Sequence, residues 1–151
     1  MYHPLYLKMQ ELLAKANEAG LDVGFYCGTR SYEQQEELYS KGRDKNGDIV
    51  DISKVVTYAR GGQSYHCWGL AFDIVFLING EWSWAKNNNW NELGELGESI
   101  GLEWGGRFPN LADYPHFQMT NGVSLLQAKM AYDKIGGIEA VWKLVEEGQI
   151  S

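Results

Sequence analysis

The sequence predicts a single small domain in which helices accompany antiparallel strands. Its 151 residues suit one hydrophobic core, because domains most often contain about 100–150 residues. Apolar residues recur at helical spacing near the N-terminus, and residues 70–84 contain two strand-like runs separated by Asn79-Gly80. That dipeptide is a strong signal for a two-residue hairpin, so the two runs are expected to pair antiparallel.

The first half of the chain predicts a helix, a strand and a second helix in succession. Residues 4–19 have the periodicity of an amphipathic helix, and apolar residues alternate along residues 21–27 as in a strand. Ser31 and Gln34 match a capping box at the start of a helix over residues 32–41. The polar residues 43–63 follow, and a loop of this length predicts a flap on the substrate side.

The second half predicts strands at residues 70–78 and 116–119 and helices at 91–100, 124–134 and 138–147. On the first of these strands, period-two alternation places Asp73 on one face with Ala71 and Val75. Asp73 is the only carboxylate of that face.

Composition and charge argue against several classes of partner. The chain has 20 acidic and 13 basic residues, a net charge of -7, and no basic cluster of the kind that binds nucleic acid. It has no apolar run long enough to insert into a membrane and no N-terminal secretion signal, so synthesis in the cytoplasm is expected. We also expect a monomer.

Two cysteines, Cys27 and Cys67, are too few for a disulfide framework. We expect two small buried residues, with a disulfide between them as the alternative.

Three residues have the chemistry of a catalytic zinc site. Such a site takes three protein ligands from nitrogen and carboxylate donors and leaves a fourth position for water. His66, Asp73 and His116 supply that number and type of donor. Each also has a structural alternative: His66 as a loop histidine, and Asp73 as a strand-end carboxylate paired with Arg60. On the residues alone, both interpretations stand.

Further residues fit supporting roles in hydrolysis. Asp113, three residues before His116, is a candidate general base, with a turn-forming residue as its alternative. Arg30 is a candidate for stabilising an oxyanion or binding a substrate carboxylate, unless it caps a helix or pairs with Glu33. Ser64 is a candidate for substrate hydrogen bonding. Four tryptophans could form a sugar-stacking platform, although core packing is the default expectation: Trp68, Trp82, Trp84 and Trp104.

The motifs together resemble the family of zinc D-Ala-D-Ala carboxypeptidases and L-alanyl-D-glutamate endopeptidases of peptidoglycan. The resemblance lies in the Gly-Thr-Arg-Ser segment of residues 28–31, the Ser-x-His-x-x-Gly-x-Ala-x-Asp pattern of residues 64–73, and Trp-Gly-Gly followed by Asp-x-Pro-His-Phe at residues 104–106 and 113–117. It implies an α+β fold with a small antiparallel sheet flanked by helices, zinc held by His66, Asp73 and His116, and Asp113 as catalytic base. It also implies that Arg30 and Ser64 face the substrate.

Carboxypeptidases of this family typically have Glu-x-Trp-His where this chain has Asp-Tyr-Pro-His at residues 113–116. The difference favours the endopeptidase branch, which resembles phage endolysins. We therefore expect a zinc endopeptidase that cuts the L-Ala–D-Glu bond of peptidoglycan stem peptides, released to the wall through a holin. The alternatives are a D,D- or L,D-carboxypeptidase and a non-catalytic wall-binding module. Residues 1–120 are expected to form the catalytic domain, with residues 121–151 as a helical extension packed on it.

Overall fold

The structure is a computed structural model that describes residues 1–150. The chain forms two compact units. Met1–Gly28 and Leu70–Thr120 make up the first unit, and Thr29–Gly69 with the described residues from Asn121 onward make up the second. Within the described residues, no helix is both long enough and apolar enough to cross a membrane.

The first unit contains a five-stranded sheet in which every pairing is antiparallel. The strand order is β1-β2-β5-β4, and β3 pairs with β2. The strands are β1 (Val23–Cys27), β2 (Ala71–Ile78), β3 (Glu81–Ser83), β4 (Glu103–Trp104) and β5 (His116–Gln118). Asn79 and Gly80 connect β2 to β3 with φ angles of 52° and 80°, as a two-residue hairpin turn requires. The predicted hairpin is confirmed.

Helices α1 (His3–Glu18) and α3 (Trp90–Ser99) complete the first unit and help to bury one face of its sheet. Phe72, Ile74 and Phe76 of β2 are on this face and are almost fully buried. Gly94 and Gly97 of α3 lie against the rings of Trp104 and Phe117, where an added Cβ would collide. Two glycines that lower helix propensity therefore allow the helix to approach the sheet closely.

The second unit consists of helices and loops. It contains α2 (Tyr32–Ser40), α4 (Leu125–Ala131), α5 (Gly137–Ile150), a π-helical turn between α4 and α5, and two 3₁₀ turns. The Trp142 indole donates to the Trp68 carbonyl oxygen at 2.8 Å, and the Tyr65 hydroxyl donates to the Val123 carbonyl oxygen at 2.8 Å. The residues after 120 thus pack on the Thr29–Gly69 segment of the same unit. The proposed boundary at residue 120 stays a prediction.

The α+β class, the antiparallel sheet and its helices agree with the sequence expectation. The capping box is present, because Ser31 Oγ accepts from the Gln34 amide and Gln34 Oε1 from the Ser31 amide. The expectation that both cysteines are buried is wrong for Cys27. Cys67 is buried, Cys27 is only partly buried, and both are free thiols. Cys27 ends an outer strand of the sheet, where neighbouring chain covers it incompletely.

Candidate active site

Asp73 and His116 form the centre of the candidate site in the first unit. They are directly opposite each other in the β2–β5 ladder, so both side chains are on the same face of the sheet. Asp73 Oδ1 is 3.6 Å from His116 Nδ1, and their side chains are only 13% and 8% exposed. The sheet therefore holds a carboxylate and an imidazole side by side, largely shielded from bulk water.

Asp113 lies beside this pair on a turn that the sheet holds in place. Its Oδ2 is 3.9 Å from His116 Nδ1, and its side chain is 52% exposed. The Trp104 indole donates to the Tyr114 carbonyl oxygen at 2.8 Å, and the Ile74 amide donates to the Pro115 carbonyl oxygen at 3.0 Å. Asp113 thus combines a fixed backbone with access to solvent, as a proton-transfer group requires.

Gly105 makes that turn possible. Its own carbonyl oxygen accepts from the Asp113 amide at 2.9 Å. A Cβ added to Gly105 would collide with the Asp113 carbonyl oxygen and come within 2.9 Å of His116 Cβ. The close approach of the Asp113–His116 turn therefore requires glycine at position 105.

A hydrogen-bonded network of polar side chains contacts His116 at Nε2. His116 Nε2 and Gln118 Oε1 are 2.7 Å apart, and Gln118 Nε2 is 3.4 Å from Glu103 Oε1. Glu103 Oε2 in turn accepts from the Thr120 hydroxyl at 2.7 Å and the Thr120 amide at 3.0 Å. A carboxamide oxygen is only an acceptor, so in the neutral imidazole this contact places the proton on Nε2 and leaves Nδ1 with its lone pair.

The pKa of His116 is the net result of opposing effects. Burial lowers the pKa, but the nearby carboxylates of Asp73 and Asp113 outweigh burial and raise it above the ordinary histidine value. The Asp73 and Asp113 carboxylates therefore favour a positive charge at Nδ1. The same two carboxylates would stabilise either a proton or a metal cation bound at Nδ1.

The Asp73–His116 pair fits a shared metal ion. Zinc takes carboxylate and imidazole ligands at about 2.0–2.1 Å in tetrahedral geometry, which separates two donor atoms by about 3.3–3.4 Å. The observed 3.6 Å is close to that separation. The Gln118 contact at Nε2 matches the outer hydrogen bond that metal-binding histidines make through their second nitrogen.

The second unit contains the remaining predicted site residues: Arg30, Ser64 and His66. His66 is buried in a 3₁₀ turn (Tyr65–Trp68) that ends at Gly69, whose φ of 68° is left-handed. Ser64 Oγ accepts from the His66 amide at 3.3 Å, and the Arg30 amide donates to the His66 carbonyl oxygen at 3.0 Å. His66 therefore lies within this turn, and Ser64 and Arg30 are both hydrogen-bonded to its backbone.

Gln35 positions the Arg30 side chain, a role that the residue pattern did not indicate. Arg30 Nη1 donates to Gln35 Oε1 at 3.2 Å, while Gln35 is fully buried and donates to the Ala59 carbonyl oxygen at 2.7 Å. Arg60, the residue suggested as a partner of Asp73, pairs with Glu36 at 2.9 Å. That ion pair lowers the pKa of Glu36 through a hydrogen bond from Arg60.

Sequence reasoning also missed Gln118 and Glu103. Gln118 is two residues from His116 on a strand, which places it on the same face, so the alternation contains a usable signal. Glu103 is on β4, only two residues long, and nothing in the sequence indicates its pairing opposite Gln118.

A buried imidazole and a largely shielded carboxylate, close enough to bind one metal ion and with a half-exposed carboxylate beside them, are an arrangement typical of metallohydrolases. Residues 57–119 match the D-alanyl-D-alanine carboxypeptidase family. The chain is 38% identical over 127 residues to the peptidoglycan L-alanyl-D-glutamate endopeptidase CwlK of Bacillus subtilis (strain 168), covering 78% of this chain and 72% of CwlK. The chain belongs to the family of zinc D-Ala-D-Ala carboxypeptidases and L-alanyl-D-glutamate endopeptidases, as its motifs indicated.

Solved structures share the fold at lower identity. The zinc-bound vancomycin resistance D,D-pentapeptidase VanY is 20% identical, with a TM-score of 0.57 over 96% of this chain and 78% of that one. The L,D-carboxypeptidase DacB from Streptococcus pneumonia is 22% identical, with a TM-score of 0.54 over 94% of this chain and 69% of that one. These similarities confirm the predicted fold class.

Proposed function

We propose that this protein is a zinc-dependent endopeptidase that hydrolyses the L-Ala–D-Glu bond of peptidoglycan stem peptides. The observation that carries the proposal is the Asp73–His116 pair with Asp113 beside it. The identity to CwlK supports the choice of bond, and so does Asp113 in the place where carboxypeptidases of the family typically have glutamate.

Asp73 and His116 are two of the three proposed zinc ligands. His66 is the third in this proposal, on the strength of the Ser-x-His-x-x-Gly-x-Ala-x-Asp pattern. Two imidazoles and one carboxylate are a ligand set that catalytic zinc sites use. When bound, zinc supplies Lewis-acid chemistry, polarising the scissile carbonyl and lowering the pKa of a coordinated water.

Asp113 is the proposed general base. Peptide hydrolysis needs a group that removes a proton from the attacking water and returns it to the leaving amine. The Asp113 carboxylate is beside His116 but is half exposed, so both water and substrate can reach it. Its backbone is fixed by the Asp113–His116 turn, which keeps the carboxylate at the site through both proton transfers.

Arg30 is the proposed anion-binding group. A guanidinium stays charged at all physiological pH values and can hold a developing oxyanion or a carboxylate of the substrate. Its hydrogen bond to buried Gln35 restricts the side chain before substrate binds. Ser64, which accepts from the His66 amide, has a positioning role and remains a candidate for substrate hydrogen bonding.

The proposed place of action is the bacterial cell wall, where the substrate is found. Action as a phage endolysin released through a holin is part of this proposal, as is a monomeric state. The polar segment between α2 and the His66 turn is the proposed substrate-side flap; it contains a 3₁₀ turn (Ile52–Lys54) and a short Arg43–Ile49 bridge.

Digestion of purified peptidoglycan followed by mass spectrometry tests the proposal. New N-terminal D-Glu ends, lost on chelation and restored by zinc, are the expected result. Release of terminal D-alanine would instead identify a carboxypeptidase. Binding to the wall without any cleavage product, in a zinc-loaded sample, would identify a non-catalytic wall-binding module.

A further inference from the structure

Three aromatic side chains form an exposed cluster in the first unit, which we call the aromatic platform: Tyr26, Trp82 and Trp84. The Tyr26 ring meets Trp82 at 5.0 Å and 70°, and Trp84 at 4.8 Å and 90°. The three side chains are 48%, 53% and 45% exposed. Tryptophan and tyrosine are enriched at interfaces, so an exposed cluster in which Tyr26 contacts both tryptophans indicates an interaction site.

The platform is held in a defined position. Trp82 pairs with Leu77 across the β2–β3 hairpin. The segment that follows β3 is tied down by Asn88, whose side-chain nitrogen donates to the Ser83 carbonyl oxygen and hydroxyl at 3.1 and 3.2 Å. Trp84 is next to Ser83, so its backbone is ordered before any ligand arrives, which reduces the entropy lost on binding.

The platform and the candidate metal ligands share one face of the sheet. Residues paired across a ladder point to the same side, and side chains alternate along β2, so Trp82 is on the Leu77, Val75 and Asp73 side. His116 is on that side as well, through its pairing with Asp73. Leu77 is four positions along β2 from Asp73, a distance of about 13 Å at roughly 3.3 Å per residue.

This distance suits the chemistry of the substrate. In peptidoglycan the L-Ala of the stem is joined through a lactyl group to an N-acetylated amino sugar of the glycan strand. From the L-Ala–D-Glu bond to that sugar the chain spans one residue and the lactyl group, about 7 Å at roughly 3.5 Å per unit. A sugar ring at that position, and its neighbour along the strand, come within reach of rings about 13 Å away.

We propose that Tyr26, Trp82 and Trp84 bind the glycan strand beside the stem peptide that is cut. This inference rests on the proposed function. Sugar rings present C–H faces that stack on aromatic rings, while the hydroxyl and acetamido groups at their edges stay hydrated, which matches rings that are half exposed. The platform makes the enzyme favour stem peptides still attached to glycan over free peptides.

Binding is tested on the full-length protein with the oligosaccharide of peptidoglycan after its peptides have been removed. In ¹⁵N-labelled protein, the indole N–H signals of Trp82 and Trp84 are expected to shift on titration. Trp82→Ala should abolish the response at Trp84, and Trp82→Tyr, which retains a ring, should preserve part of it. No shift in the wild-type protein, or equal affinity in Trp82→Ala, would overturn the proposal.

A kinetic comparison adds a second readout. The ratio of kcat/KM for glycan-linked stem over free stem peptide should fall roughly tenfold in Trp82→Ala, the loss expected for one aromatic stacking contact. Tyr6→Ala is the matched control, because Tyr6 is an exposed aromatic residue of α1 that contacts His3 and Gln10. An equal ratio in wild type and Trp82→Ala would refute the platform. Failure to cut any L-Ala–D-Glu bond would refute the proposed function, whereas the binding titration would still test whether the aromatic platform binds glycan.

Discussion

Asp73 and His116 face each other across neighbouring antiparallel strands, with Oδ1 and Nδ1 3.6 Å apart. Their backbones take part in the ladder of the sheet, so the donor atoms need little reorganisation to share a cation. A site on strands is more rigid than one on loops, so the positions of these two donor atoms are well defined before a metal ion binds.

Asp113→Asn removes the proposed base without removing a proposed metal ligand. Cleavage of stem peptides should fall by roughly 10²–10⁴-fold, because the amide cannot accept the proton of water. Zinc content, measured by elemental analysis, should stay at the wild-type level. Asp113→Glu retains a carboxylate and should keep a measurable part of the activity; full activity in Asp113→Asn would exclude this residue as the base.

Gln118→Leu should weaken zinc binding by roughly 10–100-fold, because His116 Nε2 loses the acceptor that orients its ring. Competition with a chromogenic chelator measures the affinity. Gln10→Leu, a change on the exposed face of α1, serves as control. NMR of the metal-free protein should also show that the His116 proton is no longer confined to Nε2. An unchanged zinc affinity and an unchanged His116 tautomer would show that Gln118 contributes only packing.

The metal-free protein should have a pH-dependent stability that comes from His116. Its pKa in the folded state is raised above the unfolded value of about 6.5. The stabilisation is therefore fully present below about pH 6.5 and disappears as pH rises through the raised pKa. An NMR titration measures that pKa, and Asp73→Asn should lower it. A pKa that stays the same in Asp73→Asn would contradict the assignment of Asp73 as the main carboxylate partner.

Gly105→Ala should destabilise the fold by about 1–3 kcal/mol, since the added methyl meets the backbone of Asp113 and the Cβ of His116. Chemical denaturation measures the change in free energy of unfolding. Gly136→Ala is the matched control: a Cβ there meets nothing within 4 Å, and the change should stay within about 0.5 kcal/mol. Equal effects at both positions would show that the turn adapts to the methyl group.

Local patterns were enough to predict the parts of the site that depend on a single segment. Alternation along β2 places Asp73 opposite the core face, and Asn79-Gly80 fixes the hairpin, because both effects act between near neighbours. The motif around Asp113 and His116 indicated the chemistry. That the two side chains lie together depends on the pairing of β2 with β5, which are far apart in sequence.

Other features could not be predicted because they depend on tertiary packing. The pairing of Glu103 with Gln118 is made by a two-residue strand that leaves no periodic signal. Of four tryptophans expected in the core, Trp68 and Trp104 are buried, but Trp82 and Trp84 are exposed. An alternating pattern shows that a residue belongs to a face, but it does not show whether that face is covered.

The pairing of β2 with β5 also limits how this protein can change during evolution. Insertion of one residue into β2 between the hairpin and Asp73 would rotate every side chain beyond it by one position. The Asp73 carboxylate would then enter the core occupied by Phe72 and Ile74, and an apolar side chain would stand opposite His116. A single-residue insertion in β2 is therefore tolerated only where a β-bulge absorbs it, as the β1–β2 pairing does between Phe25 and Cys27.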